Sequence, residues 1–186
     1  MFVKPTPQQE LNFDYVWNKA SLEVKSAFIQ GIPKKVKLEK GFQLYKFTGF
    51  TNLDRVSPWW SPVDPYEYDA GLNARIRLAR MLGVTASALT RVVAAVAEDW
   101  NPLMYQLVVE TTEPMYAFWG QCKVQNRVAE GKKEWELEKH NPRPDMKFVT
   151  TKRLPGFAWQ FYIPNIRPRH VKMIMVPRRD FNNPFK

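Results

Sequence analysis

Prolines cut this chain into short pieces. Fifteen of them stand against eight glycines in 186 residues, and each fixes a backbone torsion and removes a hydrogen-bond donor. A bundle of long helices cannot be threaded through that spacing, whereas short elements joined by stiff turns can. Several apolar runs have strand length: "FQLYKFTGF" ending at Gly49–Phe50, "LMYQLVVETT" at 103–112, "MYAFWGQCKVQ" at 115–125, "GFAWQFYIP" at 156–164 and "VKMIMVP" at 171–177. Two stretches read as helical. Residues 1–30 offer Leu11, Tyr15, Leu22, Val24 and Phe28 as inward positions, and residues 70–100 carry two helices stopped by Asn101-Pro102. "GIPKKVKLEKG" at 31–41 reads as a basic connector, and residues 51–69, with three prolines around paired tryptophans, as a structured loop. The order of helix, strand, two helices and further strands predicts one α+β domain over 1–186, with a flexible tail at 177–186.

Composition narrows the class. Apolar residues make up 45% of the chain and it has seven tryptophans, enough for a globular core. One cysteine, Cys122, excludes an internal disulfide, and with His140 and His170 the only histidines no zinc spacing can be assembled. No metal is therefore expected. The opening "MFVKPTPQQE" lacks the apolar centre of a secretory signal, and "VVAAVA" at 92–97 is too short to cross a bilayer. The expectation is a soluble protein without membrane insertion, exported, if at all, by a machine that reads no signal peptide.

The net charge of +10 is uneven. Residues 1–120 hold 13 Lys and Arg against 12 Asp and Glu; residues 121–186 hold 15 against 6. The basic C-terminal third could face nucleic acid, an acidic protein or a phosphate-bearing ligand. That distribution bears on "LARMLGVTASALTRVV" at 78–93, which has the pattern of a helix-turn-helix with Gly83 at the turn. Used on DNA, it would turn Thr85, Ser87, Ala88 and Arg91 toward the major groove. Yet residues 65–100 hold four arginines and four acids, and affinity for DNA comes mainly from neutralised phosphates. A packed helix pair is the simpler reading, and a DNA-binding regulator the alternative.

Other segments, taken in order, resemble a known family. "GFQLYKFTG" at 41–49 resembles the first core strand of the ADP-ribosyltransferase-like superfamily, and "VSPWWSP" at 56–62 the segment that lines its dinucleotide pocket. "LPGFAWQFYIPNIRPRHVKMI" at 154–174 resembles the closing strands of bacterial NAD-consuming toxin domains, and residues 92–121 are similar to such effectors in their order of elements. The resemblance implies a split, mainly antiparallel sheet and a bacterial effector toxin that consumes NAD+ as substrate, by hydrolysis or with ADP-ribosyl transfer. It implies action in the cytoplasm of a target cell and a cognate immunity protein, acidic against this +10 chain. An ADP-ribosyltransferase acting on nucleic acid is the variant that the basic third suggests.

The chemistry can be read from the residues as well. Breaking the nicotinamide–ribose bond develops positive charge on the ribose, as in glycoside cleavage. A site needs a cation near the pyrophosphate, flat walls around the rings and a polar group on the ribose hydroxyls. Lys46, beside Tyr45, suits the first role; Trp59 and Trp60 suit the second, with Ser57 or Ser61 toward the ribose. Gln160 suits the third, because alternation in "FAWQFYI" puts Ala158, Gln160 and Tyr162 on one face and Trp159, Phe161 and Ile163 on the other. Two departures from the family matter. Lysine stands where arginine is usual, and it binds phosphate as a point charge rather than through a fork. Trp159-Gln160 stands where many transferases carry a glutamate, which favours hydrolysis. Glu110 reads as a strand-end acid near solvent, Cys122 as a small buried residue, and 130–140 as a solvated helix.

Overall fold

The apolar runs pair with one another, as their alternation requires. The computed structural model describes residues 9–29, 31, 33–54, 56–97, 100–128 and 152–179. Three α-helices, α1 (Leu22–Ser26), α2 (Gly71–Met81) and α3 (Ala86–Val93), accompany nine strands among those residues. The strands are β1 (Lys34–Leu38), β2 (Gln43–Thr48), β3 (Trp59–Pro62), β4 (Tyr105–Thr111), β5 (Met115–Gln121), β6 (Gln125–Asn126), β7 (Arg153–Leu154), β8 (Trp159–Tyr162) and β9 (Val171–Arg179). Seven form one sheet in the order β1-β5-β8-β3-β2-β4-β9, and β6 and β7 form a separate ribbon. Every ladder is antiparallel. The α+β class with a mainly antiparallel sheet is as expected.

Four segments differ from the sequence reading. The basic connector at 31–41 contains β1, whose Val36 and Leu38 point inward between exposed Lys34, Lys35 and Lys37. Lysines on an edge strand oppose pairing with another chain, so basic composition masked a two-residue alternation. The tryptophan loop contains β3. The N-terminal region is helical only at α1 and a 3-10 turn at Trp17–Lys19, and Leu22, expected inward, is 84% exposed. Finally, β9 carries 177–179 into the sheet, where Gln106 faces Arg178 and Tyr105 faces Arg179. The rest of the expected tail, the 130–140 run and His140 lie outside the described residues.

The helix pair at 70–100 forms with Gly83 at φ 67°, the left-handed turn that only glycine adopts without cost. The Thr85 hydroxyl caps α3 by accepting from the Ala88 amide at 3.1 Å. Helix α3 ends at Val93 rather than at Asn101-Pro102, because Ala95 turns to φ 52°.

Two clusters share one side of the sheet. Tyr45 and Phe47 of β2 and Val108 of β4 pack against Leu72, Ala79 and Leu89 of the helix pair. Phe118 of β5 and Tyr162 of β8 pack against Phe28, with Tyr15, Trp17 and Val24 of the N-terminal segment beside them. The opposite side carries the largest cluster, which includes Leu44, Trp60, Leu107, Trp119 and Phe161. Gly120 permits the N-terminal segment to lie this close, because a Cβ there would sit 2.5 Å from the Phe28 ring.

The short β3 is where the sheet divides. Its first half pairs with β8, Trp59 opposite Tyr162 and Trp60 opposite Phe161. Its second half pairs with β2, Ser61 opposite Tyr45 and Pro62 opposite Leu44. In that register the next β2 residues, Lys46 and Phe47, would meet Trp60 and Trp59, but the ladder stops. The β2 strand parts from β3 there, and the backbone opens.

Candidate functional site

A cavity of about 500 Å³ occupies this opening, between the helix-pair cluster and the N-terminal cluster. Its size lies within the range of small-molecule and cofactor pockets. All seven residues singled out from sequence line it: Tyr45, Lys46, Ser57, Trp59, Trp60, Ser61 and Gln160. They come from β2, β3, the turn before β3, and β8.

Lys46 is the electrostatic centre. It sits within β2 opposite Leu107. Its ammonium donates to the Ser57 hydroxyl at 3.0 Å and lies 4.3 Å from the centre of the Trp60 ring. Burial lowers its pKa from 10.5 to about 8, and no carboxylate among the described residues acts to restore it. Both contacts suit a cation, yet neither neutralises it. At pH 7 the group is therefore mostly charged, and among the described residues it forms no ion pair, which is what an incoming anion requires.

The Trp59 ring forms an aromatic wall. The Trp60 ring, paired opposite Phe161, lies in the cluster on the other side of the sheet, 1% exposed, and its indole Nε1 has no hydrogen-bond partner. Trp59 packs on Tyr162 and Phe28, with ring centres 5.1 Å and 5.4 Å away. The hydroxyl of Thr90, contributed by α3, is likewise buried without a partner at the cavity lining. Buried polar atoms are normally satisfied, so the Thr90 hydroxyl at the lining invites a ligand acceptor or donor.

Gln160 and Tyr162 line the cavity, whereas Trp159 packs on Trp119 and Tyr68, and Phe161 enters the opposite cluster. Strand alternation thus places the amide where expected. Tyr45 is fully buried in the helix-pair cluster, and burial pushes its phenol up to about 12. It forms lining and core together. Cys122 also lines the cavity; burial raises its thiol to about 12, so it is a protonated apolar neighbour.

The helix pair builds one wall. Arg91 is 1% exposed and donates to the carbonyls of Val96 and Ala97, each at 3.0 Å, and of Asn101 at 2.7 Å. These bonds tie down the segment that brings Ala95, Val96, Asn101 and Leu103 to the cavity. Thr85, Ser87 and Ala88 are buried as well. The four side chains that a helix-turn-helix would turn to a groove are therefore inside the molecule, as a packed helix pair requires.

Sequence reasoning missed Glu23 and Ala27 of the N-terminal segment, and Lys123 and Gln125 after β5. No local pattern marks them, because only the packing of the N-terminal segment on Phe118 and Tyr162 brings them here. Two other candidates lie elsewhere. Glu110 is half-buried in β4 and 3.6 Å from Lys172. His170 is buried beside Glu113, its Nδ1 accepts from the Arg167 amide at 3.0 Å, and burial lowers its pKa. Among the described residues no group of three or more His, Cys, Asp or Glu could hold a metal, and no helix is long and apolar enough to cross a membrane. Comparison of the chain with family models, with curated proteins and with solved structures finds no match.

Proposed function

We propose that this cavity binds NAD+ and cleaves its nicotinamide–ribose bond. The observation that carries the reading is the convergence, at the division of the sheet, of Lys46, which forms no ion pair among the described residues, the Trp59 ring and a strand amide. Lys46 receives the pyrophosphate, with Lys123 as a second cation at the lining. Trp59 offers a flat face for a ring, and the unpartnered hydroxyl of Thr90 offers a donor or acceptor. Gln160 and Ser61 hold the ribose hydroxyls as charge develops on the sugar.

The antiparallel α+β architecture is compatible with an ADP-ribosyltransferase-like domain. With Gln160 in place of a late-strand glutamate, hydrolysis is favoured over transfer to a target. The biological role that follows is that of a bacterial effector toxin, delivered to the cytoplasm of a target cell and held in check by an acidic immunity protein.

The test is incubation with NAD+ and quantification of free nicotinamide. Release by the wild-type protein, lost in Gln160→Ala and weakened in binding by Lys46→Ala, supports the reading. Release that survives both substitutions unchanged refutes the site.

A further inference from the structure

Resting on the NAD reading, the cavity raises a question that its named residues leave open: which group accepts a proton when water replaces nicotinamide. A general base must be unprotonated at neutral pH and within reach of the reacting carbon. Gln160, Ser57, Ser61 and the tryptophans are not bases at pH 7. The Tyr45 and Tyr162 phenols and the Cys122 thiol are each pushed by burial up to about 12, so they keep their protons. Lys123 is a cation, and Lys46 is mostly one below about 8. One side chain is left among the described lining residues. It is Glu23.

Glu23 stands exposed on α1, whose backbone is fixed at the cavity lining. Ser21 caps α1 by accepting from the Val24 amide at 3.3 Å, and the Ser26 hydroxyl donates to the Glu23 carbonyl at 2.8 Å. Val24, the next residue, packs against the cluster of Phe28, Phe118 and Tyr162, which forms the cavity's aromatic side. The Lys25 ammonium donates to the Asn18 carbonyl at 2.9 Å and so is turned to the preceding loop. Several other carboxylates are committed: Glu67 to Lys34, Asp69 to Arg75, Glu39 and Glu10 to Lys37, Glu110 to Lys172. Among the described residues, none forms an ion pair with Glu23.

We infer that Glu23, supplied by the N-terminal segment, is the general base of hydrolysis, standing in for the late-strand carboxylate that Gln160 cannot replace. The C1′–N bond breaks with its electron pair passing to the nicotinamide ring, which leaves neutral. The water oxygen forms the new C1′–O bond, and its proton passes to the Glu23 carboxylate and on to solvent. The products are ADP-ribose, nicotinamide and one proton, so charge and atoms balance. The negative carboxylate also opposes the positive charge that develops on the ribose in the transition state.

The experiment measures nicotinamide release and NAD+ affinity for the wild-type protein, Glu23→Gln, Glu23→Asp and Glu23→Ala, across pH 4–9. Glu23→Gln is expected to lower kcat at least 100-fold while the dissociation constant for NAD+ stays within about threefold. Glu23→Asp retains part of the rate, and added formate restores turnover to Glu23→Ala, which a structural role would not allow. Wild-type release with an undiminished Glu23→Gln rate overturns the role of Glu23 alone, and an acid limb near 8 assigns the base to Lys46 instead. Absence of release by the wild-type protein overturns the NAD reading and this role with it.

Discussion

Lys46→Met should make the protein more stable at neutral pH, and the gain should fade as pH rises. The charged lysine is held in a cavity that lowers its pKa from 10.5 to about 8. At ~1.4 kcal/mol per tenfold change in protonation, the folded state carries roughly 3 kcal/mol against the charged form at pH 7. Lost contacts with Trp60 and Ser57 offset some of that, so a net gain of about 1–3 kcal/mol is expected. The sign follows from linkage. Between about 8 and 10.5 the unfolded chain binds a proton that the folded chain has released, so wild-type stability rises with pH through that window. The difference between wild type and Lys46→Met should narrow by about 2 kcal/mol from pH 7 to pH 9.5. Paired urea denaturation curves at the two pH values measure it, and the pairing cancels the tyrosines and Cys122. A Lys46→Met protein less stable than wild type at both pH values, or a difference that does not change with pH, would refute the picture of an uncompensated cavity cation. Stability given up at this one position is the mark of a binding site.

Other outcomes follow from the same geometry. NAD+ affinity should weaken by up to about thirty-fold from pH 7 to 9.5 as Lys46 loses its charge, an effect calorimetry reads and Lys46→Met should abolish. Arg91→Ala should cost about 3 kcal/mol or more in denaturant unfolding, because three backbone carbonyls lose their donor inside the protein. Gly120→Ala should destabilise by about 1–3 kcal/mol, since its methyl meets the Phe28 ring and loosens the N-terminal segment over the cavity.

Local periodicity made much of the cavity legible. A two-residue repeat in "FAWQFYI" separates Gln160 and Tyr162 from Trp159 and Phe161 without knowledge of the neighbours. The helix pair was legible for the same reason, with Gly83 marking its turn. Arg91 shows the limit of a pattern: its spacing fits a DNA reader and a buried brace equally, and only the carbonyls of 96–101 separate the two. Elements set by distant contacts were hidden. The β1 strand looked like a charged connector because an edge strand needs only Val36 and Leu38 on its inner face. The N-terminal segment looked helical because Leu11, Tyr15 and Phe28 are apolar. Each is instead held by a separate partner: Leu11 bridges Met115, Tyr15 meets Phe118, and Phe28 bridges Cys122. That tertiary docking brings Glu23 to the cavity, and no residue near Glu23 in sequence announces it.

The central claim is that the division of the sheet at β3 forms an NAD+-cleaving site, and its most direct measurement is nicotinamide release by purified protein. The account predicts nicotinamide and ADP-ribose appearing together at wild-type turnover, with release lost in Gln160→Ala. No nicotinamide from NAD+, with the protein alone or with cell lysate added, would contradict it.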